Sequence, residues 1–204
     1  MYFTLNSNNI GKYDEIATYI FEQKKSKFIS YVFKITNENE AKKYIDIIKK
    51  DNKDARHVIY IYSYLTETNL PQVIFSDDGE PQGTGTKAIY ELLTKENITN
   101  ICVVIVRYFG GILLGAGPLS RAYLNSFRGS LDCCVKENIY NYFTKEICVE
   151  YNKYDILISK LSKYINDKLV ILDNVKYNEN VDITLKIENN SKTKIEEILS
   201  EFIY

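Results

Sequence analysis

Residues 101–121 read ICVVIVRYFGGILLGAGPLSR, and this stretch decides the fold because it joins an apolar run, a glycine-rich segment and a helix start. The apolar run, 101–106, predicts a buried strand and is far too short to cross a membrane. Gly110–Gly117 predicts a loop, and Pro118 suits the first position of a helix that should end near Cys133. The stretch therefore predicts a strand, a loop with free backbone N–H groups, and a helix.

Composition narrows the class of protein. The chain has 204 residues, which is the length of one large domain or two small ones. Its 26 Lys and Arg residues nearly balance 27 Asp and Glu residues, so any nucleic-acid contact has to come from a local patch. The four cysteines lack the C-x-x-C spacing of zinc and redox sites, which favours free thiols. With no secretory or membrane-spanning segment evident, we predict a cytoplasmic protein without membrane contact.

The first 137 residues predict alternating strands and helices around the buried strand. Asn37 has the side chain of an N-cap, and Glu40 stands at the capping-box position three residues later. The predicted strands are 14–22, 27–35, 57–64, 71–75 and 101–107, and the predicted helices are 38–50 and 84–96.

Residues 138–204 differ in composition from the residues before them, because they contain neither Gly nor Pro. The predicted elements are a strand over 145–151, a helix over 154–164, strands over 168–177 and 181–187, and a helix over 191–203. This β-α-β-β-α order corresponds to a ferredoxin-like unit that lacks its last strand. We therefore predict an α+β protein with two domains, 1–137 and 138–204.

Three carboxylates stand close together in Ser76–Thr84, at Asp77, Asp78 and Glu80, and form the acidic loop. One interpretation is a site for a divalent cation or another cationic group, built from loop oxygens. The other is an acidic turn that pairs with arginine or caps the next helix, for which Thr84 is a candidate cap. The sequence leaves both open.

We predict an anion site after the buried strand. The backbone N–H groups at the start of the following helix, together with Arg107 and Arg121, could bind a phosphate. Tyr108 and Phe109 could stack a base there. The alternative is that the glycines only permit a tight crossing from strand to helix, with the arginines paired to the acidic loop. The candidate ligand-binding residues are Arg107, Tyr108, Gly110, Gly111, Gly115, Gly117 and Arg121.

Further candidates are His57, Thr84 and Lys87. His57 is the only histidine and could act as a general base, although a packed histidine is the commoner role. The segment 83–87, Gly-Thr-Gly-Thr-Lys, lacks the spacing of a phosphate-binding P-loop. We predict no cofactor and no metal.

Seven sequence blocks together resemble the IMPACT family, which includes bacterial YigZ-like and eukaryotic IMPACT proteins. The most specific are Ser-Asp-Asp-Gly-Glu-Pro at 76–81 and Arg-Tyr-Phe-Gly-Gly at 107–111. The others are Lys24–Ile29, Ala55–His57, Gly83–Thr84, Leu114–Gly117 and Arg121–Tyr123.

The resemblance implies a first domain folded like domain 2 of ribosomal protein S5, a ferredoxin-like second domain, and a place in translational control under stress. We accordingly expect a non-enzymatic translation-associated or stress-regulatory factor that binds RNA, the ribosome or a translation regulator. In this hypothesis Arg107 and Arg121 hold a phosphate or carboxylate, Tyr108 stacks, and the acidic loop orients the arginines or receives a cation. The alternative is a metal-assisted hydrolase of a phosphate-containing substrate, with Asp77 and Asp78 as ligands.

Overall fold

The computed structural model describes residues 2–202. The chain divides into two compact units, Met1–Ile139 and Tyr140–Tyr204. Each unit combines helices with antiparallel sheet, which confirms the predicted α+β class. None of the helices within the described range has the length and apolar character needed to cross a membrane.

The first unit is built on a five-stranded antiparallel sheet with the order β2-β3-β6-β4-β5, accompanied by a two-stranded sheet of β1 and β7. Its strands are β1 (Phe3–Asn6), β2 (Ala17–Gln23), β3 (Ser26–Lys34), β4 (His57–Leu65), β5 (Pro71–Ser76), β6 (Ile101–Tyr108) and β7 (Val135–Asn138). Its helices are α1 (Glu38–Asp51), α2 (Lys87–Lys95) and α3 (Ala116–Leu131).

Strand β6 lies at the centre of the five-stranded sheet and is buried on both faces, which explains its continuous apolar sequence. Ile101, Val103 and Ile105 pack in one hydrophobic cluster with α2 and α3. The alternate side chains of β6 pack in a second cluster with α1 on the opposite face. Because side chains alternate along a strand, Arg107 continues the first face and Tyr108 continues the second.

Helix α1 begins as predicted. The backbone N–H of Glu40 donates to Asn37 Oδ1 at 3.1 Å, which confirms Asn37 as the N-cap. The Glu40 carboxylate reaches back and accepts the backbone N–H of Thr36 at 2.7 Å. The pairing resembles a capping box, but its second donor is the N–H of the residue before the N-cap.

The starts of α2 and α3 differ from the prediction. Helix α2 begins at Lys87 instead of residue 84, and α3 begins at Ala116, so Pro118 occupies the third helical position. Pro118 is tolerated there because the first N–H groups of a helix have no intrahelical acceptor. Gly115 precedes α3 with φ at +81°, and this left-handed conformation favours glycine.

Strands β1 and β7 were not predicted. Their sequences, FTLN and VKEN, are four residues long and show no clear apolar alternation. They form because Phe3 and Asn138 are brought together from opposite ends of the unit, where the two strands pair antiparallel. Their stability comes from this long-range pairing, which no local pattern reveals.

The second unit is a three-stranded antiparallel sheet with the order β8-β10-β9, packed against two helices around an apolar core. This is the ferredoxin-like arrangement, and over residues 140–202 it has no fourth strand. The predicted strand over 145–151 is wrong at its end, because Tyr151 begins the following helix. The elements are β8 (Tyr142–Val149), α4 (Tyr151–Asn166), β9 (Val170–Tyr177), β10 (Val181–Glu188), a short 3-10 helix (Asn189–Ser191) and α5 (Lys192–Ser200).

Candidate functional site

Strands β3, β6 and β4 lie side by side at one end of the five-stranded sheet. Arg107, near the end of β6, lies between Phe28 on β3 and His57 on β4, which are its partners across the two neighbouring strands. The antiparallel register therefore places a basic residue, an aromatic residue and the only histidine side by side. The loop that follows β6 and the start of α3 complete this end of the unit.

A buried ion pair lies at the centre of the site. Glu80 Oε1 accepts a hydrogen bond from Arg107 Nη1 and another, at 2.7 Å, from the Tyr123 hydroxyl. The side chains of Glu80 and Arg107 are only 3% and 6% exposed. Burial and the hydrogen bond to Glu80 raise the pKa of Tyr123, so its phenol keeps its proton and remains the donor.

His57 connects this ion pair to the acidic loop. Its Nδ1 lies 2.7 Å from the carbonyl oxygen of Asp78, and a carbonyl can only accept, so Nδ1 carries the proton. Its Nε2 lies 3.7 Å from the second carboxylate oxygen of Glu80. Between these two loop residues Gly79 has φ at +80°, a conformation that glycine provides without strain.

A cavity of about 560 Å³, which we call the sheet-end cavity, opens beside the ion pair. Its walls are mostly apolar, and a few polar groups converge on it, as is typical of ligand-binding sites. The polar side chains that line it belong to Arg56, His57, Glu80 and Arg107. The apolar side chains belong to Pro81, Phe109, Leu113, Leu114 and Leu119.

The start of α3 borders the sheet-end cavity through Gly115 and Ala116. The first turn of this 16-residue helix contains no acidic residue, and no side chain caps it. The N–H groups of Ala116 and Gly117 precede the first intrahelical donor, Leu119, which bonds the carbonyl of Gly115 at 3.0 Å. The positive end of the helix dipole therefore adds to the arginines at this cavity.

Asp77 and Asp78 do not orient the arginines, and that part of the prediction is wrong. Asp77 accepts the backbone N–H groups of Gly83 and Thr86, at 2.6 and 2.8 Å, and the Thr86 hydroxyl at 2.8 Å. Asp78 accepts the backbone N–H of Val58 at 2.7 Å. Both carboxylates therefore fix the loop, and within residues 2–202 no cluster of three metal-ligating side chains is present.

The candidates Thr84 and Lys87 lie outside the lining of the sheet-end cavity. The Thr84 hydroxyl donates to the carbonyl of Pro81 at 2.6 Å, so Thr84 does not cap α2 as predicted. The Asp77 carboxylate binds the N–H at the start of α2 instead. Lys87 is the first residue of α2 and its side chain is exposed.

Tyr108 and Arg121 also lie outside the lining of the sheet-end cavity. The Tyr108 hydroxyl donates to Asn52 Oδ1 at 2.8 Å on the α1 face of the sheet, so the stacking role predicted for it is wrong. Phe109 lines the sheet-end cavity in its place. Arg121 is exposed one turn into α3 and is not among the residues that line the cavity.

The predicted glycines have separate structural roles. The N–H of Gly110 donates to Ser26 Oγ at 3.1 Å, and a side chain at position 110 would overlap the backbone of Lys25. Gly111 has φ at +82° in the same loop, whereas Gly117 lies in the first turn of α3 beside Arg121. Close approach and backbone conformation therefore explain the glycines at the end of β6.

Arg56 and Phe109 line the cavity but are not among the predicted ligand-binding residues, although the sequence offers Phe109 as a stacking residue. Each is a sequence neighbour of a predicted residue, His57 in one case and Tyr108 in the other. The alternation of side chains along β6 could have separated Tyr108 from Arg107, since consecutive residues face opposite sides of a sheet. Arg56 stands in the block Ala55–His57, but only the fold places this exposed residue at the cavity.

Most of the first unit matches a known protein family. Residues 24–131 match the model of the Impact N-terminal domain. The chain is 30% identical over 178 residues to the IMPACT family member YvyE of Bacillus subtilis, covering 87% of this chain and 79% of that protein. It is 38% identical over 107 residues to the IMPACT family member YigZ of Escherichia coli, and that match spans about half of each chain, 52%.

One solved structure has a similar fold along nearly the whole chain. It is the crystal structure of a hypothetical protein, which matches with a TM-score of 0.61 and 25% sequence identity. The match covers 98% of this chain and 93% of that one. Both units of the present fold therefore occur together in a known structure.

Proposed function

The chain belongs to the IMPACT family, and from this membership we propose that it regulates translation by binding RNA at the end of the five-stranded sheet, beside the sheet-end cavity. The family resemblance implies translational control, and the RNA-binding role is supported by the distribution of charge around the cavity. Because the chain as a whole is nearly neutral, a local concentration of cations carries particular weight.

The observation that carries the proposal is a group of cations at the end of the sheet, the basic rim, formed by Lys24, Lys25 and Arg56. Lys24 and Lys25 form the turn between β2 and β3, and the backbone of Lys25 lies against Gly110. Arg56 lines the sheet-end cavity. In the part of the chain that the structure describes, none of the three forms an ion pair. Their charges remain available to phosphate groups.

An exposed aromatic side chain stands beside the basic rim. Phe109 is 45% exposed although it directly follows a buried strand. Proteins that bind single-stranded nucleic acid combine cations along the backbone with aromatic rings on which bases stack. This combination supports RNA as the partner, because a polyanion without bases could not stack on the ring.

The bonds of the acidic loop favour binding over catalysis. A metal-assisted hydrolase would use Asp77 and Asp78 as ligands, yet both carboxylates accept backbone N–H groups that fix the loop. Recruiting them to a metal would break these bonds and leave the buried donors unsatisfied. The alternative of a hydrolase therefore has little support from the geometry.

The test is RNA binding by the whole chain, measured by fluorescence anisotropy with a labelled single-stranded RNA over a range of salt concentrations. The variant Lys24→Ala/Lys25→Ala/Arg56→Ala should bind more weakly and lower the salt slope by about 2, since each phosphate contact contributes about 0.7 for a single strand. The control variant replaces three lysines of the second unit, Lys163, Lys176 and Lys194, with alanine, and should bind as the wild type does.

Co-sedimentation with ribosomes and polysomes tests the connection with translation. The wild type should sediment with them at low salt, and the basic-rim variant should remain in the supernatant. No RNA binding at low salt, or equal binding by the basic-rim variant and the wild type, would overturn the proposed function.

A further inference from the structure

The size and shape of the sheet-end cavity exceed what a phosphate contact alone requires. Its volume of about 560 Å³ falls within the range of about 300–1,000 Å³ that is typical of small-molecule sites. Three apolar side chains, Pro81, Leu114 and Leu119, form part of its wall, and Leu114 and Leu119 are buried. Such a wall excludes water and suits a planar or apolar body instead of a bare ion.

One side of the cavity is suited to an anion. The Arg107 side chain is 94% buried there, and its Nε has no hydrogen-bond partner within residues 2–202, although Nη1 is bonded to Glu80. Arg56 adds a second guanidinium, and the start of α3 adds the N–H group of Ala116. Two arginines against one carboxylate leave an excess of positive charge, because Glu80 is the only acidic residue among the described residues that line the cavity.

The side formed by Phe109 is suited to a flat ring. The Arg107 guanidinium carbon lies 5.7 Å from the centre of the Phe109 ring and 5.6 Å from the centre of the Phe28 ring. The Arg107 guanidinium therefore lies near both rings, and nearly half of the Phe109 surface stays exposed. This exposed ring offers a stacking surface with little loss of side-chain freedom on binding.

We propose that the sheet-end cavity receives one unstacked nucleotide, whose base stacks on Phe109 while its phosphate is bound by Arg56 and the start of α3. This inference rests on the proposed function and adds that the strand is single and that one of its bases enters the protein. A paired base would first have to leave its duplex, which costs free energy. The cavity therefore selects single-stranded RNA, and a free nucleoside monophosphate competes for the same place.

The first experiment displaces labelled single-stranded RNA from the whole chain with adenosine 5′-monophosphate, adenosine or inorganic phosphate. The monophosphate should compete at a lower concentration than either of its parts, since only it engages the ring surface and the cations together. Equal competition by inorganic phosphate and the monophosphate would overturn the inference, because it would mean that the base contributes nothing.

The second experiment removes the stacking surface. Phe109→Ala should lower the affinity for single-stranded RNA about tenfold, within the range measured for base–aromatic stacking. Phe109→Leu keeps an apolar side chain without a ring and should lose nearly as much, which separates stacking from packing. Phe75→Ala, at another exposed aromatic residue on the edge strand β5, is the matched control and should leave the affinity unchanged.

The two proposals fail in different ways. If RNA still binds in a salt-dependent manner but Phe109→Ala binds as tightly as the wild type, the nucleotide cavity is refuted and the proposed function stands. If single-stranded and duplex RNA bind equally well, the inference is also overturned, because a paired base cannot enter the cavity. Absence of any RNA binding at low salt refutes both.

Discussion

The two units differ in one ion pair, because among the described residues only the first unit contains a Lys or Arg pair that is almost fully buried. In the first unit Glu80 and Arg107 form an ion pair that is almost fully buried. In the second unit the pair of Lys186 and Asp173 lies at the surface, with side chains 42% and 40% exposed. A surface pair contributes little to stability, and a buried pair costs desolvation that an apolar pair of the same size avoids. The buried pair of Glu80 and Arg107 is therefore better explained by a role at the sheet-end cavity than by a gain in folding stability.

The largest effect is expected from breaking the buried pair. Arg107→Ala leaves the Glu80 carboxylate buried without its cation, and we expect a loss of about 3–5 kcal/mol in the free energy of unfolding. Urea unfolding followed by circular dichroism measures it. The double variant Glu80→Gln/Arg107→Met should recover part of the loss, because it removes both charges. A loss below about 1 kcal/mol for Arg107→Ala would contradict the burial of the pair, because that is the range of surface pairs.

A smaller effect is expected from the carboxylate that fixes the loop. Asp77→Ala removes the acceptor of two backbone N–H groups, including that of Thr86 at the start of α2. Loss of such a cap costs about 1–2 kcal/mol, which thermal unfolding detects as a lower Tm. Asp77→Asn keeps an acceptor oxygen and is the control, which should recover most of the stability. An unchanged Tm in Asp77→Ala would show that the loop does not depend on these bonds.

The phenol of Tyr123, which donates a hydrogen bond to Glu80, makes the free energy of unfolding depend on pH. Burial and Glu80 raise the pKa of Tyr123 above its usual value near 10, so the folded chain holds this proton after the unfolded chain has lost it. The contribution of Tyr123 is therefore complete below pH 10 and is lost as the pH rises further.

The comparison of wild type with Tyr123→Phe tests this dependence. Below pH 10 the variant should be less stable by about 1.5–3 kcal/mol, the usual contribution of a hydrogen bond to a charged group. Above pH 10 the difference should shrink by up to about 1.4 kcal/mol per pH unit. Denaturant unfolding of both proteins at a series of pH values measures the difference, and a constant gap would refute the assignment.

The smallest effect is expected at the surface pair of the second unit. Lys186→Ala should change the free energy of unfolding by less than about 0.5 kcal/mol, because both side chains are well hydrated and held loosely. Urea unfolding, measured as for Arg107→Ala, allows the two losses in the free energy of unfolding to be compared directly. A loss of several kcal/mol at Lys186 would remove the distinction between the two units.

Prediction from the sequence succeeded where a local pattern carries the structure. The strand predicted over 101–107 is observed as Ile101–Tyr108, and Asn37 caps α1 as its type and spacing indicate. It failed for β1 and β7, whose pairing joins the two ends of the first unit. It also misplaced the start of α2, because the acceptor at that start is Asp77, nine residues before Thr86.

The candidate site shows the same division. The sequence by itself determined that a buried strand runs into a glycine-rich loop. It also showed an acidic segment before this strand and arginines at its end and beyond it, and it identified these blocks as those of one family. Only the tertiary structure decided that Glu80, and not Asp77 or Asp78, pairs with Arg107, and that Phe109 faces the sheet-end cavity. The reason is physical: three carboxylates close together in sequence have the same chemistry, and packing between distant segments decides which of them is buried beside a cation.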